Sequence, residues 1–138
     1  MGAGRALYTV RVHTKGFRDG GYSRSDDGCL NIRHSLPGFD SSGTNSEQLF
    51  AASWSACFDA ALGLAALKQK VSLPVDVSID AEVDLCLSGE AYFLCARLTV
   101  SLPGLDREVA HKLIYTAHQT CPYSKAVRGN VEVQLSLL

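Results

Sequence analysis

Residues 53–62, SWSACFDAAL, lie at the centre of the helical pattern that decides the fold of this chain. Around this stretch, apolar residues recur at alternating steps of four and three, which is the spacing of one helix face. They are Phe50, Trp54, Cys57, Ala61 and Leu64. Ala and Leu fill most of the remaining positions, so we predict a core helix that is too apolar for one thin sheet to cover. A second copy of the chain is the expected cover, which predicts a homodimer.

Capping and breaking signals mark the two ends of this helix. Thr44 is followed three residues later by Glu47, which fits a capping box, and strong helix formers come next. The pattern ends in the charged stretch KQK at residues 68–70, and Pro74 blocks its continuation. We therefore expect the helix to begin at Thr44 and to end near residue 70.

Alternating apolar and polar residues predict strands before the helix. LYTVRVHT, residues 7–14, has the two-residue period of a half-buried strand. Asp27-Gly28 is a turn signal that leads into a strand carrying Leu30 and Ile32. These patterns predict a hairpin, followed by a loop at PGFDSSGTNSEQ.

The segments after the helix continue the same kind of pattern. VDVSIDAEVDLCL (75–87) and AYFLCARLTVSL (91–102) predict two strands joined by a turn. DREVAHKLIYTAHQ (106–119) predicts a second helix with Asp106 as N-cap, and VEVQLSLL (131–138) predicts a last strand. Strands and helices therefore come in clusters, which predicts an α+β fold with antiparallel sheets in a single domain, residues 1–138.

Composition excludes several classes of function and site. The formal net charge is −1 and no dense Lys/Arg block occurs, so we expect no nucleic-acid partner. The longest apolar stretch, residues 56–67, is interrupted by Asp59 and is short for a bilayer span, so we expect no membrane association. Five cysteines, an odd number, argue against a secreted disulfide framework and favour the cytoplasm. No CxxC motif occurs, and we expect neither a metal nor a cofactor.

Two of the cysteines have surroundings that could carry chemistry. Cys121 precedes Pro122, the expected first residue of a short helix, whose dipole would favour a thiolate. Cys57 lies in the core helix, where a cysteine usually does nothing but pack. Whether the two thiols meet depends on the tertiary fold. Cys29, Cys86 and Cys95 lie in predicted strands and are interpreted as structural.

Two charged residues are candidates for activating a thiol. Arg18 lies in the glycine-flanked turn GFRDGG and could lower a thiol pKa, although a solvated loop arginine is the plainer interpretation. Glu47 lies about 80° from Cys57 around the helix, so both could border one pocket, although the capping box alone would explain this carboxylate.

Three segments together resemble the organic hydroperoxide resistance proteins of the OsmC-like superfamily, over nearly the whole chain and in the same order. They are GFRDGG (16–21), GTNSEQLFAASWSACFDAAL (43–62) and SLPGLDREVAHKLIYTAHQTCPYSKAVRGNVEVQLSL (101–137). The CPYS at residues 121–124 is typical of this branch. The chain departs from the family at Ser46, where Pro is usual.

The resemblance implies an OsmC-like fold, an intertwined homodimer in which antiparallel sheets enclose two central helices, with two sites at the subunit interface. Cys57 then resembles the peroxidatic cysteine and Cys121 the resolving one, with Arg18 and Glu47 as the activating charged pair. Organic hydroperoxides are the implied substrates, and a lipoylated protein or dihydrolipoamide is the implied reductant. Phe50, Trp54 and Phe58 would form apolar walls that favour alkyl and fatty-acid hydroperoxides over hydrogen peroxide.

Two other functions use the same residues. A cysteine hydrolase would take Cys57 or Cys121 as nucleophile and His118 as base. A redox-sensing thiol module would be oxidised once and would have no efficient reductant. A hydrolase has no need for two thiols that close into a disulfide, so the role of Cys121 separates it from a peroxidase.

Overall fold

The computed structural model describes residues 4–16, 20–37 and 42–138 of the chain. The chain folds into two compact units, Met1–Ser46 and Glu47–Leu138. The first contains a small sheet, and the second contains a larger sheet and the helices. One domain over residues 1–138 stays a prediction.

The first unit is a three-stranded antiparallel sheet. Its strands are β1 (Val12–Lys15), β2 (Tyr22–Ser25) and β3 (Asn31–Arg33), in the order β1-β2-β3. The turn predicted at Asp27-Gly28 is confirmed, because Gly28 has φ +76° and the Asp27 carboxylate accepts a 2.9 Å hydrogen bond from the Cys29 backbone N–H. Cys29 therefore lies in this turn, and its placement in a strand was wrong.

β1 differs from its sequence pattern. It begins at Val12 rather than at residue 7, and all four of its residues are exposed. Tyr8 and Val10, on the predicted buried face, are exposed as well. Among the described strands β1 lies at the edge of its sheet and pairs only with β2, so alternation in the sequence does not by itself bury one of its faces.

The core helix is α1 (Ser46–Gln69). It begins two residues after the predicted start, because Thr44 lies in a bridge with His34, where its carbonyl accepts a hydrogen bond from the Ser35 N–H. It ends as predicted, where Lys70 turns to a φ of +58°. By length and composition alone α1 could cross a membrane, but one face of it packs into a protein core.

The buried face of α1 was predicted only in part. Its buried residues are Trp54, Phe58, Ala61, Leu62, Ala65 and Ala66. Leu64, on the predicted apolar face, is 62% exposed in the single chain. A helix that is apolar nearly all round shows no single stripe in its sequence, and only its neighbours decide which side is covered.

The second unit contains a mixed sheet and two further helices. Its strands are β4 (Ser78–Ser88), β5 (Ala91–Ser101) and β6 (Glu132–Leu137), in the order β4-β5-β6. β4 and β5 form the predicted antiparallel hairpin, whereas β6 runs parallel to β5. The reason is the crossover through the helices between them, which returns the chain in the same direction. The predicted α+β class is confirmed, with one parallel pair in it.

The crossover consists of α2 (Arg107–Thr120) and α3 (Pro122–Val127). Asp106 caps α2 as predicted, accepting a 3.2 Å hydrogen bond from the Val109 N–H. Cys121 ends α2 and is the N-cap residue of α3. Buried side chains of α1, β5 and α2 form one core cluster, and Cys121 belongs to it.

Candidate active site

The two thiols singled out in the sequence lie against each other. Cys57 is on α1 and Cys121 is at the start of α3, 64 residues later, and their sulfur atoms are 3.2 Å apart. Both are free thiols. Cys121 is completely buried, whereas Cys57 keeps part of its surface exposed. A small molecule can therefore reach Cys57 first, with Cys121 directly behind it.

The described neighbours of Cys57 have opposing effects on its pKa. Burial raises the pKa, because it disfavours the thiolate. The backbone N–H of Tyr123 lowers it by hydrogen bonding to the sulfur, and the Cys121 thiol raises it again. The net result is a pKa above the ordinary value for a cysteine. Neither the Tyr123 backbone nor the Cys121 thiol carries a positive charge that would stabilise a Cys57 thiolate.

A second bond between the same two helices was missed in the sequence. The indole Nε1 of Trp54 donates a 3.1 Å hydrogen bond to Oγ of Ser124, and both side chains are completely buried. Ser124 belongs to the CPYS segment that was already singled out in the sequence. The spacing of that segment, however, does not identify Trp54 as the hydrogen-bond partner of Ser124. The backbone contact of Tyr123 to Cys57 was missed for the same reason.

The three aromatic residues expected near Cys57 differ in accessibility. Trp54 and Phe58 are completely buried in this chain, whereas Phe50 is half-buried. The ring centroids of Phe50 and Trp54 are 5.6 Å apart, within the range of aromatic pairs. Of the three, Phe50 is the side chain with surface left for a ligand to contact.

The expected charged pair is only partly described. Arg18 lies outside the described residues. Glu47 lies in the first turn of α1 and is half-buried. Ten residues of helix correspond to about 15 Å along the axis, so the Glu47 carboxylate cannot contact the Cys57 thiol directly. A role for Glu47 requires a residue between the two.

The geometry around His118 gives no support to a cysteine hydrolase. In the described part of the chain, no hydrogen bond joins His118 to either thiol. Its Nδ1 is buried without a partner, and its carbonyl accepts a 2.7 Å hydrogen bond from Arg128. Burial, and then the charge of Arg128, lower the pKa of His118. We therefore interpret His118 as a structural residue of α2 and not as the base of a Cys–His pair.

The comparison with known proteins agrees with the resemblance seen in the sequence. The sequence model of the OsmC-like protein family matches residues 38–136. The chain is 39% identical over 136 residues to the organic hydroperoxide resistance protein of Xanthomonas axonopodis pv. citri, with 96% of both chains covered. It is 42% identical over 137 residues to the organic hydroperoxide resistance protein OhrB of Bacillus subtilis, covering 96% of this chain and 98% of that protein.

The fold is shared as well. A crystal structure of an organic hydroperoxide resistance protein from Legionella pneumophila matches with a TM-score of 0.89 and 40% identity, covering 96% of this chain and 98% of that one. The family match, the nearly full-length relatives and the shared fold show that this chain belongs to the OsmC-like family, in its group of organic hydroperoxide resistance proteins.

Proposed function

We propose that this protein is a thiol peroxidase that reduces organic hydroperoxides to alcohols and so protects against oxidative stress. The observation that carries the proposal is the 3.2 Å separation of the Cys57 and Cys121 sulfur atoms. A disulfide requires about 2.05 Å, so the two atoms need to approach by only about 1 Å. The names of the relatives support an organic hydroperoxide as the substrate.

The reaction uses both thiols in turn. The Cys57 thiolate attacks the outer oxygen of the hydroperoxide, the O–O bond breaks, and the alcohol leaves after taking up a proton. Cys57 is then a sulfenic acid. Cys121 attacks its sulfur, the S–O bond breaks, and water leaves as the disulfide forms. One hydroperoxide and two thiols thus give one alcohol, one water and one disulfide.

The structure supports this order of roles. Cys57 is the more exposed thiol, as the first to be oxidised must be, and the buried Cys121 is out of reach of a bulky oxidant. Because the second thiol is already in contact, the sulfenic acid is captured before a second peroxide can oxidise it further. The half-buried ring of Phe50 favours an apolar substituent on the substrate over hydrogen peroxide.

Activation and recycling complete the proposal. Since burial and the Cys121 thiol together hold the pKa of Cys57 above its ordinary value, we assign the lowering of that pKa to Arg18, oriented by Glu47. A dihydrolipoyl dithiol, free or on a lipoylated protein, reduces the disulfide and is itself oxidised by two electrons.

The protein works in the cytoplasm, as a homodimer whose contact covers the exposed leucines of α1, Leu64 and Leu67.

The test is peroxide consumption with matched variants. Reduced protein is mixed with dihydrolipoamide and either cumene hydroperoxide or hydrogen peroxide. Wild type is expected to consume cumene hydroperoxide faster than hydrogen peroxide and to form a Cys57–Cys121 disulfide detectable by mass spectrometry. The Cys57→Ser variant is expected to show no turnover. Cys29→Ser, in the exposed turn, serves as the control and should match wild type. If Cys57 and Cys121 are both still free thiols after exposure to peroxide, and no peroxide is consumed, the proposal is excluded.

A further inference from the structure

A second pair of thiols lies on the sheet of the Glu47–Leu138 unit. Cys86 is on β4 and Cys95 on β5, and their sulfur atoms are 3.9 Å apart. In the strand register, Cys86 lies opposite Phe93 and Cys95 lies opposite Asp84, so the two cysteines are diagonal neighbours on one face. Both are half-buried free thiols. Neither takes part in the chemistry proposed for Cys57 and Cys121.

This face of the sheet is its polar face, opposite the buried side chains of β5. The buried residues Ala96, Leu98 and Val100 point into the core, and the alternation of a strand turns Cys95 and Arg97 the other way. The Cys86–Cys95 pair can therefore be reached from the side away from the core. The sequence alone predicts a structural role for each of these two cysteines, because the register between strands cannot be read from the spacing within one strand.

The geometry of the pair suits a bridging ion better than a disulfide. Diagonal neighbours across two strands lie about 7–8 Å apart, with their Cβ atoms slightly closer, whereas a disulfide requires a Cβ separation of about 3.8 Å, so closure would need the strands to shift. Two sulfur ligands about 2.3 Å from a tetrahedral ion lie about 3.8 Å apart, and a linear arrangement would place them about 4.6 Å apart. The observed 3.9 Å matches the tetrahedral case.

The charges on this face favour a cation. Asp80, Glu82 and Asp84 of β4 and Glu132 of β6 share it with the two thiols. Arg97 is the one basic side chain that the described strands of this sheet place there. Its guanidinium is held by Asp84 at 2.8 Å and by Glu82 at 3.3 Å. An excess of carboxylates raises the local concentration of cations at the pair.

We propose that Cys86 and Cys95 form a two-thiolate chelate for a soft divalent d¹⁰ cation of the zinc and cadmium class. Both thiols lose their protons to solvent when the ion binds, and two metal–sulfur bonds form. No group of three or more His, Cys, Asp or Glu side chains in the described ranges is placed to hold a metal. The remaining positions around the ion therefore belong to water or buffer ligands.

The test uses Cd²⁺ as the probe, in the full chain with Cys57→Ser and Cys121→Ser. These two substitutions remove the other thiol pair, so the outcome is independent of the proposed peroxidase chemistry. The reduced protein is titrated with Cd²⁺, and the thiolate-to-cadmium charge-transfer absorption in the ultraviolet is followed. One Cd²⁺ per chain is expected, and X-ray absorption of the same sample should count two sulfur ligands.

Single substitutions in that background separate chelation from weak surface binding. Cys86→Ser or Cys95→Ser should each weaken Cd²⁺ binding about 10²-fold or more, because the second thiolate no longer binds intramolecularly. Cys29→Ser, in the exposed turn, should leave the affinity unchanged. A titration that Cys86→Ser does not alter, fewer than two sulfur ligands, or isolation of the pair as a Cys86–Cys95 disulfide would each overturn the proposal.

Discussion

The indole Nε1 of Trp54 donates a 3.1 Å hydrogen bond to Oγ of Ser124, and each of these residues lies three positions from one thiol of the Cys57–Cys121 pair. Residues three apart on a helix lie on nearly the same face. The buried hydrogen bond and the thiol pair therefore join α1 to the start of α3 one turn apart. The buried hydrogen bond thus ties α1 to α3 next to the thiol pair.

Replacing Ser124 by Ala should destabilise the protein by about 1–3 kcal/mol, because the buried indole N–H of Trp54 loses its acceptor. The free energy of unfolding in urea, followed by circular dichroism, measures the effect. Ser136→Ala on β6, at an exposed position, is the matched control. In a Trp54→Phe background the cost of Ser124→Ala should shrink, since no N–H remains to be left unpaired. Equal costs in both backgrounds would contradict the role of this bond.

Cys121→Ser should consume one hydroperoxide to form the Cys57 sulfenic acid and should not return to the thiol through a disulfide. The Cys57 sulfenic acid has no thiol to condense with, so further peroxide should convert it to the sulfinic acid. Mass spectrometry of the Cys57 peptide after increasing doses of cumene hydroperoxide shows this directly. Wild type, at the same doses without reductant, should accumulate the disulfide instead. Continued turnover by Cys121→Ser would assign the resolving role to another thiol.

The pH dependence of Cys57 alkylation should change when Cys121 is removed. The Cys121 thiol raises the pKa of Cys57, so its removal should shift the pH profile of Cys57 alkylation towards lower pH. The measurement is the rate of Cys57 alkylation by iodoacetamide in Cys121→Ala and in wild type, with Cys29→Ser in both to remove the exposed thiol.

If Arg18 supplies the activating charge, Arg18→Ala should shift the pH profile of Cys57 alkylation towards higher pH, and Arg24→Ala in β2 should leave it unchanged.

His118 should make the protein less stable in acid. Its pKa is lowered in the folded state, so the folded chain binds a proton less readily than the unfolded chain. The stability that comes from a neutral His118 is present above about pH 6.5 and is lost as the pH falls through the lowered folded pKa. His118→Gln should therefore lose less stability than wild type between about pH 7.5 and pH 5. Gln119→Ala, at an exposed position on α2, is the matched control that does not change a titratable group.

The proposed dimer predicts that charge on the exposed face of α1 separates two copies. Leu64 and Leu67 are 62% and 74% exposed in the single chain. Leu67→Asp should therefore shift the mass measured by light scattering from the dimer to the monomer, because a charge would be buried in an apolar contact. Val75→Asp, at a fully exposed position outside the helices, is the control. A monomeric wild-type protein would contradict the dimer.

Elements defined by local pattern were the most predictable from sequence. The β4–β5 hairpin, the Asp106 cap of α2 and the end of α1 lie where periodicity and capping residues indicated. Errors arose where the neighbour decides the outcome. β1 alternates in its sequence although all four of its residues are exposed.

The sequence by itself determined the periods of the strands and helices, the family and the identity of the two candidate thiols. These properties depend on local backbone preferences and on residue types in fixed order. Only the tertiary structure decided that Cys57 contacts Cys121 across 64 residues, that Trp54 bonds Ser124, and that Cys86 faces Cys95 across two strands. Such contacts depend on packing and on strand register, which no local spacing encodes.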